Sequence, residues 1–139
     1  MSREEMVSVV QRYFDAWTTG DVSALDDVVS PDYRVHYPQE VRAPAGKAVE
    51  VLKECVAVDR AVYPDQTWAI DQWVVEGDRV AIACTMTGTH LGTEPTLQIP
   101  ATGKKVKIAW VVIYRIANGK IAEVWEVGDY LGLLKQLKG

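Results

Sequence analysis

Apolar residues fall at helical spacing through the first third of the chain. Met6, Val10, Tyr13, Phe14 and Trp17 share one stripe, and Thr18-Thr19-Gly20-Asp21 supplies residues that stop a helix. This predicts a first helix of about four turns with aromatic rings on its buried face. Asp21 is placed to cap a short second helix over Val22 to Val29. Ser30-Pro31-Asp32 then turns the chain into an alternating strand, Tyr33-Arg34-Val35-His36-Tyr37, which Pro38 ends. From Ala45 to Val62, the positions Ala48, Leu52, Cys55, Val58 and Val62 mark the inner face of a third helix, with Lys47, Glu50, Lys53, Glu54 and Arg60 on its wet side. Tyr63-Pro64-Asp65 closes it.

After residue 65 the period changes from helical to alternating. Strands are predicted over Gln66 to Val75 and Asp78 to His90, around Glu76-Gly77, and over Lys105 to Ile116 and Lys120 to Val127, around Ala117-Asn118-Gly119, the strongest hairpin signal in the chain. Leu91 to Gly103, with Pro95 and Pro100, reads as a loop holding a short strand. Tyr130, Leu133, Leu134 and Leu137 recur at helical spacing and predict a terminal helix capped by Asp129. Helices first and antiparallel strands afterwards give an α+β fold, one domain over residues 1–139, with helices on one face of a curved sheet. A sheet wrapped around a long helix leaves a cone-shaped hollow suited to a small-molecule ligand.

Composition narrows the function. The chain has 139 residues, 48% hydrophobic and 24% charged, as expected of an ordinary globular domain. Its net charge of -4 argues against a nucleic-acid partner, which needs a basic face to displace counterions. Met1-Ser2-Arg3-Glu4-Glu5 has no apolar signal core, and no run approaches the roughly 20 apolar residues of a membrane span, so no membrane partner and a cytoplasmic location are expected. Cys55 and Cys84 read as two buried hydrophobes. Lys104, Lys105 and Lys107 read as a solvated strand edge.

Several chemistries are excluded. No serine lies in a Gly-x-Ser-x-Gly elbow. Cys84 and His90, on one strand, would be roughly 20 Å apart, too far for a thiol dyad. Gly103-Lys104 lacks the leading glycine and trailing hydroxyl of a phosphate loop, no dinucleotide fingerprint is present, and His36 and His90 form no zinc-ligand pair. No cofactor and no metal are expected. Acid-base chemistry in an apolar cavity remains, because a carboxylate buried among rings holds or takes a proton near neutral pH. Asp129, at the junction of the last strand and the terminal helix, is the best-placed carboxylate. It is equally suited to capping that helix, which would lower its pKa.

The C-terminal half contains Gly88-Thr89-His90-Leu91-Gly92, Pro100-Ala101-Thr102-Gly103-Lys104, Asn118-Gly119-Lys120-Ile121 with Glu123, Trp125 and Asp129, and Leu133-Leu134-Lys135-Gln136-Leu137. With the looser matches Phe14-Asp15-Ala16-Trp17, Pro31-Asp32-Tyr33 and Tyr63-Pro64-Asp65, it resembles the SnoaL-like polyketide cyclase family over nearly the whole chain. The resemblance implies the nuclear transport factor 2-like cone, a strongly curved antiparallel sheet wrapped around N-terminal helices, shared with ketosteroid isomerase, scytalone dehydratase and limonene epoxide hydrolase. It also implies a homodimer and, mapped onto Asp129, an acid-base aspartate for intramolecular aldol closure without cofactor.

Ring-closing relatives can carry a histidine where this chain has Val112. His36 and His90 are the possible replacements. His36 shares a strand face with Arg34, turned either to solvent or to the cavity; His90 is in phase with Ile82, Cys84 and Met86 at a strand end. Tyr13, Trp17, Tyr33, Met86, Trp110, Val112 and Trp125 are the expected substrate-binding residues, the aromatic ones suited to a flat polycyclic ligand. A regular last strand puts Glu123, Trp125 and Asp129 on one face, unless Gly128 bulges. The expected function is a cofactor-independent cyclase or isomerase of a carbonyl-rich small molecule. A dehydratase, an epoxide-opening hydrolase and a non-catalytic binding or dimerisation module are the alternatives.

Overall fold

The computed structural model describes residues 1–36 and 43–139. Ser2 accepts a hydrogen bond from the Glu5 N–H and starts α1 (Arg3–Thr19), which buries Met6, Val10, Tyr13 and Phe14 as its periodicity predicts. The second helix is shorter than expected. Asp21 caps a 3-10 turn at Val22–Ala24 that runs into α2 (Leu25–Val28), and β1 (Val29–Val35) starts at once. Ser30, Pro31 and Asp32 therefore lie inside the strand; β1 is an edge strand, where proline's missing N–H is tolerated. Tyr37 and Pro38, expected to finish that strand, lie outside the described residues.

Helix α3 (Ala48–Val62) buries Ala48, Leu52, Val56 and Val62, whereas Cys55 and Val58 are exposed. Of the two cysteines only Cys84 is a core residue. Four antiparallel strands follow: β2 (Thr67–Glu76), β3 (Arg79–Thr89), β4 (Lys105–Ala117) and β5 (Lys120–Gly128). Asn118 and Gly119, at φ 53° and 74°, make the two-residue turn with both central residues in the left-handed region that a tight hairpin requires. Helix α4 (Tyr130–Lys138) ends the chain.

The sheet order is β1-β5-β4-β3-β2. It is curved and unclosed, and antiparallel throughout except that β1 joins β5 in parallel. Alternation marks β1 as a strand but says nothing of its neighbour's direction, so the parallel edge was not readable. Central β4 is no edge, and Lys104, just before it, bonds the carbonyls of Leu137 and Gly139 at the end of α4. The expected short strand in the 91–103 loop is a single bridge between Glu94 and Ile99.

Two irregularities set which side chains face inward. β2 shifts register between Ile70 and Gln72, so Trp68, Ile70 and Trp73 all pack toward the core. In the β4–β5 hairpin, Ile116 pairs with Ile121 but Arg115 pairs with Glu123, which leaves Ala122 as an extra residue. Ile121 and Val124, three apart, are consequently both fully buried. The bulge lies at Ala122 and not at Gly128. The main core fills the space between the sheet and α1, α2 and α3, and a second cluster seals Val106 and Ile108 under Leu133 and Leu137 of α4.

Candidate active site

Between α1, α3 and the sheet's inner face lies a cavity of about 300 Å³. Tyr13, Phe14 and Trp17 reach it from α1 and Tyr33 from β1, while β4 contributes Trp110, Val112 and Tyr114. The rings touch in sequence: Tyr13 meets Tyr114 edge-on with centroids 5.6 Å apart, Phe14 meets Trp68 at 5.4 Å, and Trp110 meets Tyr130 at 5.6 Å. Edge-to-face packing of this kind is rigid and apolar, and it leaves little to solvate a charge.

Among the described residues two carboxyl groups line this cavity, Glu126 on β5 and Asp59 on α3. Burial pushes Glu126 from its ordinary 4.5 up to about 7, with no hydrogen bond or cation from the described residues to oppose it. Burial takes Asp59 from 3.8 to about 6, partly offset by a hydrogen bond from Gln66. Tyr13, Tyr33 and Tyr114 are pushed well above the ordinary phenol value, first by burial, and the negative charge of Glu126 adds to the rise in each. The Glu126 charge therefore acts on three neutral phenols that line the same cavity. The buried indole N–H of Trp110 has no hydrogen-bond partner among the described residues, an unmet cost in this wall.

The structure brings Tyr13, Trp17, Tyr33, Trp110 and Val112 together around one cavity. It sends the other expected residues elsewhere. Asp129 is exposed and caps α4, its Oδ1 accepting the Gly132 N–H at 2.8 Å. It follows Glu123, Trp125 and Val127 on the outer face, so it does not look into the cavity. Asp129→Ala is expected to cost about 1 kcal/mol of stability through the lost cap, and Asp129→Asn to leave turnover unchanged, both checked on purified protein.

His36 lies on the outer face too, with Nε2 2.7 Å from Glu123 Oε2 and its ring stacked on Trp125 at 4.7 Å. Trp125 is thus held outside the cavity, with the Arg79 guanidinium on its ring at 4.9 Å. His90 is fully buried, but its Nδ1 accepts the Thr102 backbone N–H at 3.1 Å and lies 2.9 Å from Thr102 Oγ1, which ties down the 91–103 loop. Met86 packs in the second core cluster beside Val106 and Ile108.

Regular strand parity conceals Glu126, because it takes no account of the bulge. A regular hairpin closed by Asn118-Gly119 pairs Val112 with Trp125, whereas the extra residue at Ala122 pairs Val112 with Glu126. Asp59 carries no signal of its own, since it falls between Val58, which reads as the inner face of α3, and Arg60, which reads as its wet side. Among the described residues no cluster of three or more His, Cys, Asp or Glu is arranged to hold a metal, and no helix is long and apolar enough to cross a membrane.

Known proteins with this architecture share more than the cone. The chain is 24% identical over 135 residues to the aklanonic acid methyl ester cyclase DnrD of Streptomyces peucetius, covering 94% of this chain and 89% of that one. It is 27% identical over 136 residues to the cyclase of the same name, DauD, from Streptomyces sp. (strain C5), covering 94% and 80%. The solved structure of TsrD from Streptomyces laurentii superposes with a TM-score of 0.86 at 28% identity, over 99% of this chain and 97% of that one. The sequence model of the SnoaL-like polyketide cyclases matches residues 7–137, helices, cavity wall and terminal helix together, and the chain belongs to that family.

Proposed function

We propose that this protein closes a ring in a polyketide-like, carbonyl-rich small molecule by acid-base catalysis, with Glu126 as the base and then the acid. The observation that carries this reading is the Glu126 carboxyl, lifted to about 7 by burial, in an apolar cavity that it shares with three phenols. As carboxylate, Glu126 removes a proton from a carbon flanked by two carbonyls, and the enolate oxygen takes hydrogen bonds from the tyrosine hydroxyls around it. Those phenols stand where the histidine expected at Val112 is lacking. The enolate carbon then bonds to a second carbonyl carbon of the same molecule, whose oxygen becomes an alkoxide and takes the proton back from Glu126. Substrate and product have equal mass. The aromatic walls contribute by holding the two carbons in attack range. That DnrD and DauD are named as cyclases of aklanonic acid methyl ester, and that the chain belongs to the SnoaL-like polyketide cyclases, supports the substrate class.

Mass spectrometry of the product separates this reaction from its rivals. An unchanged mass with a new ring supports aldol closure; loss or gain of water supports a dehydratase or an epoxide-opening hydrolase.

The outer sheet face supports a homodimer. Val74, Ala81, Ile113 and Trp125 form one row across the strands and Ala83, Val111 and Val127 the next; Val111 and Val127 are about 60% exposed. Trp73 of β2 is not part of this face and packs toward the core. Light scattering after size exclusion is expected to give twice the chain mass, and Val111→Lys to give the single-chain mass.

A further inference from the structure

The reading of Glu126 leaves the second cavity carboxyl without work. Asp59 sits in the last turn of α3, where the helix dipole disfavours a negative charge, so a merely structural carboxylate gains little there. Its surroundings fix how it can bond. Trp68 Nε1, which can only donate, gives its hydrogen to Gln66 Oε1 at 2.9 Å. That sets the amide of the buried Gln66, whose Nε2 then donates to Tyr63 O and to Asp59 Oδ2, both at 3.2 Å. Asp59 Oδ2 is therefore an acceptor whatever the pH, and a proton on this carboxyl sits on Oδ1. Oδ1 makes no hydrogen bond with the described residues, on a side chain that lines the cavity. Neither carboxyl's charge perturbs the other, so Asp59 and Glu126 are separate groups and not a proton-sharing pair. Glu94 from the 91–103 loop and Arg60 beside it act on Asp59 in opposite senses, and burial dominates both.

We propose that Asp59 is a second ligand-holding residue, its Oδ1–H donating to an oxygen of the bound molecule at the α3 wall, so that the cavity selects flat ligands oxygenated on two opposite edges. This rests on the reading of the cavity as the substrate site, with Glu126 serving the sheet wall. It also explains why Gln66 and Trp68 are arranged to hold one carboxyl oxygen and leave the other free.

The test needs binding and no turnover. Tryptophan fluorescence is titrated at pH 5, where Asp59, which ionises at about 6, keeps its proton, with anthraquinone, which has a carbonyl on each long edge, and with anthrone, which lacks one and can turn the other to either wall. Asp59→Ala is expected to weaken anthraquinone about tenfold and anthrone less than about threefold. Asp59→Asn, whose Oδ1 can take the Gln66 hydrogen while its amide still donates to the ligand, is expected to stay within about twofold of the wild type. Equal weakening of both ligands by Asp59→Ala, no weakening, an Asn variant as weak as the Ala variant, or a wild type that binds neither ligand overturns the proposal. Melting curves confirm that both variants are folded. Should Glu126 not be the base, Glu126→Gln keeps its turnover while these binding constants stand, so the two failures are distinct.

Discussion

Glu126→Gln is expected to lower turnover by about a thousandfold, within the range of a lost general base, while making the folded protein more stable at pH 8. The two effects share one cause. In the folded state the Glu126 carboxyl titrates at about 7 instead of its ordinary 4.5, so between those values the folded protein holds a proton that the unfolded chain has released. Stability therefore falls as the pH rises from about 4.5 and levels off above about 7. Above that point the buried charge costs on the order of 3 kcal/mol, because each tenfold change in proton affinity is worth about 1.4 kcal/mol. Glutamine keeps the shape without the charge. Its melting temperature at pH 8 is expected to exceed the wild type's by about 5 °C or more, and the gain to vanish near pH 4. In the wild type, kcat/KM should climb with pH through a midpoint near 7. A Gln variant that turns over normally, or one less stable at pH 8, counts against the assignment.

Gly128→Val is expected to be the most damaging single change to the cavity wall that leaves its chemistry untouched. A Cβ placed on Gly128 would lie 2.8 Å from three ring atoms of Trp110, closer than real contacts allow. Trp110 has little room to retreat, since its ring lies 6.4 Å from that of Trp68 and 5.6 Å from that of Tyr130. The displaced indole has to move toward the hollow or unseat its neighbours. The expected cost is about 2–3 kcal/mol, a fall of roughly 5–10 °C in melting temperature, with ligand affinity reduced at least about tenfold. Adding Trp110→Leu makes room for the valine and should recover at least about 1 kcal/mol of the loss, a coupling that a double-mutant cycle measures. Additive losses would place the strain elsewhere.

Both predictions concern inner-face positions of β5, where the sequence was hardest to read. Its alternation was legible: Glu123, Trp125 and Asp129 do share a face, and the hairpin turn at Asn118-Gly119 is where its residue types put it. The face was the wrong one. One unpaired residue at Ala122 exchanges inside for outside along the strand, and alanine carries no mark of a bulge. Trp125 and Asp129 thereby go to the outer surface and Glu126 to the cavity. On α3 the difficulty was of another kind. Cys55, Val58 and Asp59 lie along the rim of a hollow, where apolar side chains stay wet and a carboxyl is buried, so neither fits the ordinary division into inner and outer helix faces.

By itself the sequence determined that helices precede strands, where the chain turns, and that α1 presents an aromatic stripe to the interior, because periodicity and turn residues act over a few positions and need no partner. It also marked Tyr13, Trp17, Trp110 and Val112 as wall residues. Only the tertiary structure decided that β1 lies parallel to β5, that His90 braces a loop, and that the buried acid is Glu126 and not Asp129. Each of these depends on which distant segment lies alongside, and a carboxyl's affinity for its proton is set by the water that those segments exclude.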